Sequence, residues 1–94
     1  MKEKIVNADT ESGQRLGETV IEIIENQLRD NDPQEVKRTL KRLMNTGESR
    51  ENAMRFIATA LSVELFGVLK HNEPFNEKRY NKNLKELPIL PYEE

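Results

Sequence analysis

Apolar residues recur every three or four positions along most of this sequence, and that spacing predicts helices rather than strands. In the first such segment, about residues 12–30, the apolar residues form one arc: Leu16, Val20, Ile21, Ile23, Ile24 and Leu28. The polar residue Gln27 falls inside this arc. The segment should end near Asp30, because Pro33 lacks a backbone donor and pushes the residue before it out of the helical region.

A second helix is predicted over about residues 33–46, with Asp32 as its side-chain cap and Pro33 at its first position. Its apolar stripe contains four residues: Val36, Leu40, Leu43 and Met44. Gly47 follows this stripe. Glycine readily adopts the left-handed conformation that ends many helices, so we place the C-terminal end of the helix there.

Ser49 is expected to cap a third helix over about residues 50–71. Apolar residues lie on more than one side of this helix, which predicts a central helix with several packed neighbours. Glu64 lies in the middle of its most apolar face, where an unsatisfied carboxylate would be destabilising. We therefore predict a hydrogen bond across the core between Glu64 and Gln27. The alternatives are that Glu64 meets an arginine, water or a partner chain.

A short fourth helix is predicted over about residues 76–87, with Tyr80, Leu84 and Leu87 along one apolar edge. Two prolines prevent the tail, residues 88–94, from continuing this helix, so we predict an extended segment. The tail has apolar residues that gain by burial, either on this domain or on a neighbour, and otherwise it hangs free. The predicted interface combines one residue of the third helix with the tail: Phe66, Ile89, Leu90 and Tyr92.

These elements predict an all-α fold, a small bundle of four helices in a single domain over residues 1–94. Residues 1–11 and 88–94 are predicted to be extended or flexible ends. Because the first two connections are short, we expect the first three helices to pack antiparallel, with the fourth lying across them. A chain of 94 residues with 5% aromatic content supports a modest, mainly aliphatic core, which makes a deep preformed ligand pocket less expected.

The overall charge is nearly balanced, with 15 basic and 17 acidic residues. Such a chain has no long-range field that would attract nucleic acid or an anionic membrane. No apolar segment typical of a signal peptide follows the N-terminal lysines, and the longest apolar run is far shorter than the ~20 residues of a membrane helix. We therefore expect a soluble, cytoplasmic protein without a membrane partner.

Four basic residues of the second helix lie away from its apolar stripe and are predicted to form a solvent-facing patch: Lys37, Arg38, Lys41 and Arg42. A charged face of this kind usually serves solubility. Nucleic acid is not favoured as a partner, because no aromatic residues alternate with these cations. The first helix carries an acidic flank with Glu18, Glu22 and Glu25. Together, the two charged surfaces favour self-association or a charged protein partner.

Candidates for catalysis are few in this composition. The sequence has no cysteine, which excludes thiolate metal sites and cysteine nucleophiles. Its one histidine, His71, is expected at the C-terminal end of the third helix, where the helix dipole favours a cation. A serine nucleophile would depend on this histidine alone. We predict no catalytic residues, no cofactor and no enzymatic activity.

The order of several short phrases resembles a family of small uncharacterised prokaryotic all-helical proteins, a domain of unknown function. The phrases are IENQL at the end of the first helix, DP at the start of the second, and an RL…G…A junction before the third. An acidic residue deep in the third helix and the phrase PFNEKRY complete the set. The similar segment covers Leu16 to Pro88.

Fuller members of that family carry H-x-x-x-H before the IENQ phrase and E-A-x-H at the start of the third helix, spacings that bundles can use to hold a metal. Other residues occupy the corresponding positions here: Gly17, Ile21, Asn52 and Arg55. Only Glu25 and Glu64 remain, and two carboxylates alone are a poor transition-metal site. The resemblance therefore implies no metal here, with a weak site for a hard cation such as Mg²⁺ at Glu25 and Glu64 as the alternative.

Two functional hypotheses follow. The first is a non-enzymatic helical protein-interaction module, with a homodimer as one way to bury the surplus apolar surface of the third helix and the tail. The second is a degenerate relative of a metal-binding bundle that keeps a weak cation or ligand site at Glu25 and Glu64. The first predicts a concentration-dependent dimer, and the second predicts a melting temperature that responds to divalent ions.

Overall fold

A computed structural model describes residues 17–91 of the chain, and the structural statements below concern that part. It contains four helices and no strand, which confirms the predicted all-α fold. The helices are α1 (17–30), α2 (Gln34–Asn45), α3 (Arg50–His71) and α4 (Glu77–Glu86). The predicted range of α3 matches its bounds, whereas α2 and α4 are each one residue shorter at either end. The predicted start of the first helix lies outside the described residues.

The connection between α1 and α2 differs from its prediction in one respect. α1 ends at a left-handed residue, Asn31, whose φ is 54°. The next backbone N–H, that of Asp32, donates to the Gln27 carbonyl at 3.0 Å, so these residues close the last turn of α1. Asp32 does not cap α2, because the N-cap is Pro33 and no side chain accepts a hydrogen bond there. The predicted cap was wrong because this part of the chain serves the preceding helix instead.

The connection between α2 and α3 is built as the sequence predicts. Gly47 has a φ of 108°, which a residue with a Cβ adopts only with strain. The N–H of Glu48 donates to the Leu43 carbonyl at 3.2 Å, the pattern that completes a glycine-terminated helix. The Ser49 hydroxyl then accepts from the Asn52 N–H at 3.0 Å and caps α3. The predicted roles of Gly47 and Ser49 are both confirmed.

A single apolar core joins the four helices. α2 packs against α3 and α4, and α3 also packs against α4. α3 contributes more residues to this core than any other helix, as its apolar faces predict. The core residues are Val20, Ile24, Val36, Leu40, Leu43, Ala53, Met54, Ile57, Ala60, Leu61, Tyr80, Leu84 and Leu87.

The described part of the tail packs partly on this domain. The N–H of Ile89 donates to the Glu86 carbonyl at 2.9 Å, so the chain turns directly after α4. Leu87 is buried and the half-buried Leu90 packs against the core, while 60% of Ile89 is exposed. Of the residues predicted for the interface, Tyr92 lies outside the described residues.

Candidate functional site

Glu64 is the buried carboxylate of the described core, with no exposed surface. Its Oε1 accepts from the backbone N–H of Asn76 at 2.9 Å and from Arg79 Nη2 at 3.1 Å. Its Oε2 accepts from Arg79 Nε at 2.6 Å. Two parallel hydrogen bonds from one guanidinium form the strongest type of carboxylate contact in proteins. Three donors therefore satisfy this carboxylate inside the fold.

The start of α4 is placed on Glu64 by its own cap. The Asn76 side chain accepts from the N–H of Arg79 at 2.9 Å and so begins α4. The N-terminal turn of the helix, with its partial positive charge, then faces the carboxylate. Gly67, one turn after Glu64, leaves room for this approach, since a Cβ there would lie 3.0 Å from Oε1 of Glu73 and 3.6 Å from Arg79 Nη2.

Gln27 does not bond to Glu64, so the hydrogen bond predicted between them is wrong. Instead, the hydroxyl of Tyr80 donates to Gln27 Oε1 at 2.8 Å. Burial raises the pKa of Tyr80, because an ionised phenolate would lack water around it. Two consecutive residues of α4, Arg79 and Tyr80, thus satisfy the buried Glu64 and the half-buried Gln27 separately. An arginine as the partner of Glu64 was one of the alternatives left open by the sequence.

Glu25 and Glu64 lie too far apart to share an ion. Glu25 accepts from Arg50 Nη2 at 3.0 Å, and this hydrogen bond lowers the pKa of Glu25. Arg50 begins α3, and Glu64 follows it by fourteen residues, which is about 21 Å along the helix axis. The described residues contain no group of three or more acidic or histidine side chains placed to hold a metal ion. The arrangement therefore does not favour the alternative cation site at Glu25 and Glu64.

Only three of the four residues predicted for the basic patch face solvent: Lys37, Arg38 and Lys41. Arg42 is half-buried and turns toward α4. It donates to the carbonyls of Leu87 at 2.7 Å and Leu84 at 3.0 Å. The last carbonyls of a helix lack partners within that helix, so a guanidinium at this end satisfies them and also suits the helix dipole. The prediction for Arg42 was wrong because this need of α4 outweighs exposure to solvent.

The last turns of α3 expose apolar side chains on the side away from the core. Phe66 is 53% exposed and Leu69 is 72% exposed, while Leu65 beside them is half-buried and also packs against the core. We call these three residues the outer surface of α3. Lys70 Nζ lies 5.2 Å from the ring centre of Phe66, so the surface has a cationic rim. The sequence predicted Phe66 as an interface residue but missed Leu69, whose position opposite the buried face was the available signal.

One helix of the described residues, α3, is long and apolar enough to cross a membrane by length and composition alone. The core helix of a compact domain passes the same test, and α3 buries seven residues inside this fold. Among these seven is Glu64, which is paired with Arg79. The apolar composition of α3 therefore reflects its two apolar sides, the face buried in the core and the outer surface.

A groove of about 880 Å³ runs between α1 and the first turns of α3. Its lining includes Gly17, Ile21 and Arg55. In this chain, Arg55 donates to Glu51 at 3.0 Å on the rim of the groove. The groove has an apolar floor and a charged rim, and lacks histidine.

No protein-family model matches this sequence, and searches of curated proteins and of solved structures give no match either.

Proposed function

We propose that this domain is a non-enzymatic protein-interaction module that forms a homodimer through the outer surface of α3. The observation that carries the proposal is the exposure of Phe66 and Leu69 on consecutive turns of the central helix. Adjacent apolar side chains that remain exposed in a folded domain mark a surface that gains by contact with another molecule. The buried carboxylate of Glu64, in contrast, already has all of its contacts inside the domain, with Arg79 and the Asn76 N–H.

A second copy of α3 suits this surface because large and small residues follow one another along it. Ala58, Ser62, Leu65 and Leu69 are spaced by four, three and four residues, the spacing of a coiled-coil seam. In an antiparallel pair centred near Ser62, Leu65 of one copy packs over Ala58 and Thr59 of the other, and Leu69 lies over the aliphatic stem of Arg55. Small residues at the centre let the two helices approach closely.

Charge and helix dipoles favour the same orientation. An antiparallel pair brings Glu51, which already pairs with Arg55 in the first turns of one α3, near Lys70 in the last turn of the other. Opposite charges at the rim of an interface fix its register and orientation more than its strength. The dipoles of two antiparallel helices also oppose each other, which is the favourable arrangement.

The test is sedimentation velocity over a wide range of protein concentration, at an ionic strength that screens charged contacts. We expect a concentration-dependent dimer for the wild type and a monomer for Leu69→Lys. By symmetry the substitution removes two buried leucines, each contributing ~1.5 kcal/mol or more, so dimerisation should weaken at least about a hundredfold. Ile89→Lys is the matched control, because the proposed surface leaves out the tail that the sequence also predicted for an interface, and Ile89 in that tail is exposed to a similar degree.

The proposal fails if the wild type stays monomeric throughout, or if Ile89→Lys weakens association as much as Leu69→Lys does. A covalent readout is available as well, because the sequence contains no cysteine. A thiol introduced by Ser62→Cys lies close to its own copy in the antiparallel pair and should form a disulfide-linked dimer under mild oxidation. Lys82→Cys, on the exposed side of α4, should not.

A further inference from the structure

The groove between α1 and α3 combines an apolar floor with an unbalanced acidic wall. Ile21 and Met54 form the floor. Glu18 and Glu22 lie on the α1 side, one turn apart and exposed. A segment that fills this groove must bring apolar surface to the floor and positive charge to the wall.

The other two carboxylates of the groove are already neutralised. Glu25 accepts from Arg50 at 3.0 Å, and Glu51 accepts from Arg55 at 3.0 Å. Neither Glu18 nor Glu22 has a cationic partner in the described part of the chain. The net charge that remains is therefore two negative charges on the α1 wall.

We infer that this groove receives α2 of a second copy of the chain. The exposed side of α2 carries Lys37, Lys41 and Met44 at successive turns. Lys37 and Lys41 are four residues apart, as are the two unpaired glutamates, so each lysine can meet one carboxylate. Met44 is 42% exposed and supplies the apolar side chain for the floor. Methionine adapts well to an irregular apolar site of this kind.

This contact uses different surfaces on the two copies, unlike the symmetric pairing of α3. Each chain has one groove and one α2, so a head-to-tail contact can propagate to species larger than a dimer. Because two ion pairs guide it, its strength falls as salt rises. It rests on residues outside the outer surface of α3 and goes beyond the proposed function, which can fail without affecting it.

The experiment measures association by sedimentation at low and high ionic strength, with every chain carrying Leu69→Lys so that pairing through α3 is removed. We expect salt-sensitive association of this parent chain. Glu18→Lys/Glu22→Lys and Lys37→Glu/Lys41→Glu should each lower the association constant at least about tenfold, since two attractions become repulsions. An equimolar mixture of the two variants should recover association, because each then offers a surface complementary to the other.

Lys82→Glu/Lys85→Glu is the matched control, since it makes the same change of net charge on the exposed side of α4. It should leave association within about twofold of the parent chain. Circular dichroism of every variant checks that the helices are intact. The inference is overturned if the parent chain shows no salt-sensitive association, if the mixture stays monomeric, or if the control is as disruptive as the reversal on α2.

Discussion

Replacing Arg79 by methionine while Glu64 stays in place tests whether the buried ion pair holds α4 on α3. Methionine keeps an unbranched chain of comparable length but donates no hydrogen bond. In the variant, Glu64 retains only the backbone donor of Asn76, at 2.9 Å, and loses both contacts with the guanidinium. The carboxylate is then buried without a counter-charge.

The expected magnitude follows from the unequal exposure of the two partners. Breaking a fully buried pair by removing one member destabilises a protein by about 3–5 kcal/mol. Here the Arg79 side chain is 41% exposed, while Glu64 has no exposed surface. Water can reach part of the space that the guanidinium leaves, so we expect Arg79→Met to lower the free energy of unfolding by about 2–3 kcal/mol. Glu64→Leu should cost only about 1 kcal/mol, because the arginine it leaves unpaired can turn to solvent.

The assay is urea unfolding followed by circular dichroism, with midpoints and slopes compared at one fixed protein concentration because association contributes to stability. The series comprises the wild type, both single variants and the double variant Glu64→Leu/Arg79→Met. Arg38→Met is the matched control, since Arg38 is exposed and bonds only to Gln34 of its own helix in the described contacts. It should stay within about 0.5 kcal/mol of the wild type.

The double variant decides the interpretation. If Arg79 acts by neutralising Glu64, the double variant should be more stable than Arg79→Met alone by at least about 1 kcal/mol, because no buried charge remains. The reasoning is refuted if Arg79→Met costs less than Glu64→Leu, or if the costs of the two single changes simply add. Additive costs would mean that the pair contributes through packing alone, and a larger cost for Glu64→Leu would mean that its contact with the Asn76 N–H matters more than its contact with Arg79.

Three further outcomes follow from single contacts. Arg42→Met should lower the free energy of unfolding by about 1.5–3 kcal/mol in urea, because carbonyls at the end of α4 lose a charged donor, while Arg38→Met on the same helix should change it by less than about 0.5 kcal/mol. The raised pKa of Tyr80 keeps the folded phenol neutral, so wild-type stability should fall by up to about 1.4 kcal/mol per pH unit above pH 10, where the unfolded tyrosine ionises. Tyr80→Phe should lack this part of the alkaline decline. Gly47→Ala should cost about 1–2 kcal/mol by thermal unfolding, because the residue has a φ of 108° and no neighbour within 4 Å relieves or adds to that strain.

The parts of the fold that the sequence predicted depend on neighbours along the chain. Gly47 ends α2 through its backbone conformation, and Ser49 caps α3 through a local hydrogen bond. The range of α3 follows because its apolar positions recur at the helical period between these signals and His71. Local patterns of this kind can be predicted from the sequence without knowledge of the tertiary structure.

The hydrogen-bond partners of the polar side chains of Glu64 and Gln27 could not be predicted in the same way. Glu64 meets a residue 15 positions later, and Gln27 meets one 53 positions later. Helical periodicity places a residue on a face, but several cations of the chain have side chains long enough to reach a buried carboxylate. The prediction that Arg42 faces solvent was wrong for the same reason. A long side chain at the edge of the apolar stripe can turn toward solvent or toward α4, and the spacing does not decide between them.

The Glu64–Arg79 pair also bears on which side of α3 remains open. α3 is apolar on two sides, and α4 lies on the inner side, where Tyr80 also bonds to Gln27 and Arg42 donates to the last carbonyls of α4. Glu64 lies on the inner side of α3 only. Its carboxylate is therefore hydrogen-bonded by Arg79 only when α4 packs on that side. A buried polar contact of this kind can specify structure even where it adds little stability. We therefore expect the double variant Glu64→Leu/Arg79→Met to unfold with a lower urea slope and to show broadened amide resonances in the first turn of α4, as that turn loses its fixed position on α3. Sharp resonances and an unchanged slope would show that apolar packing and the contacts of Tyr80 and Arg42 position α4 without the ion pair.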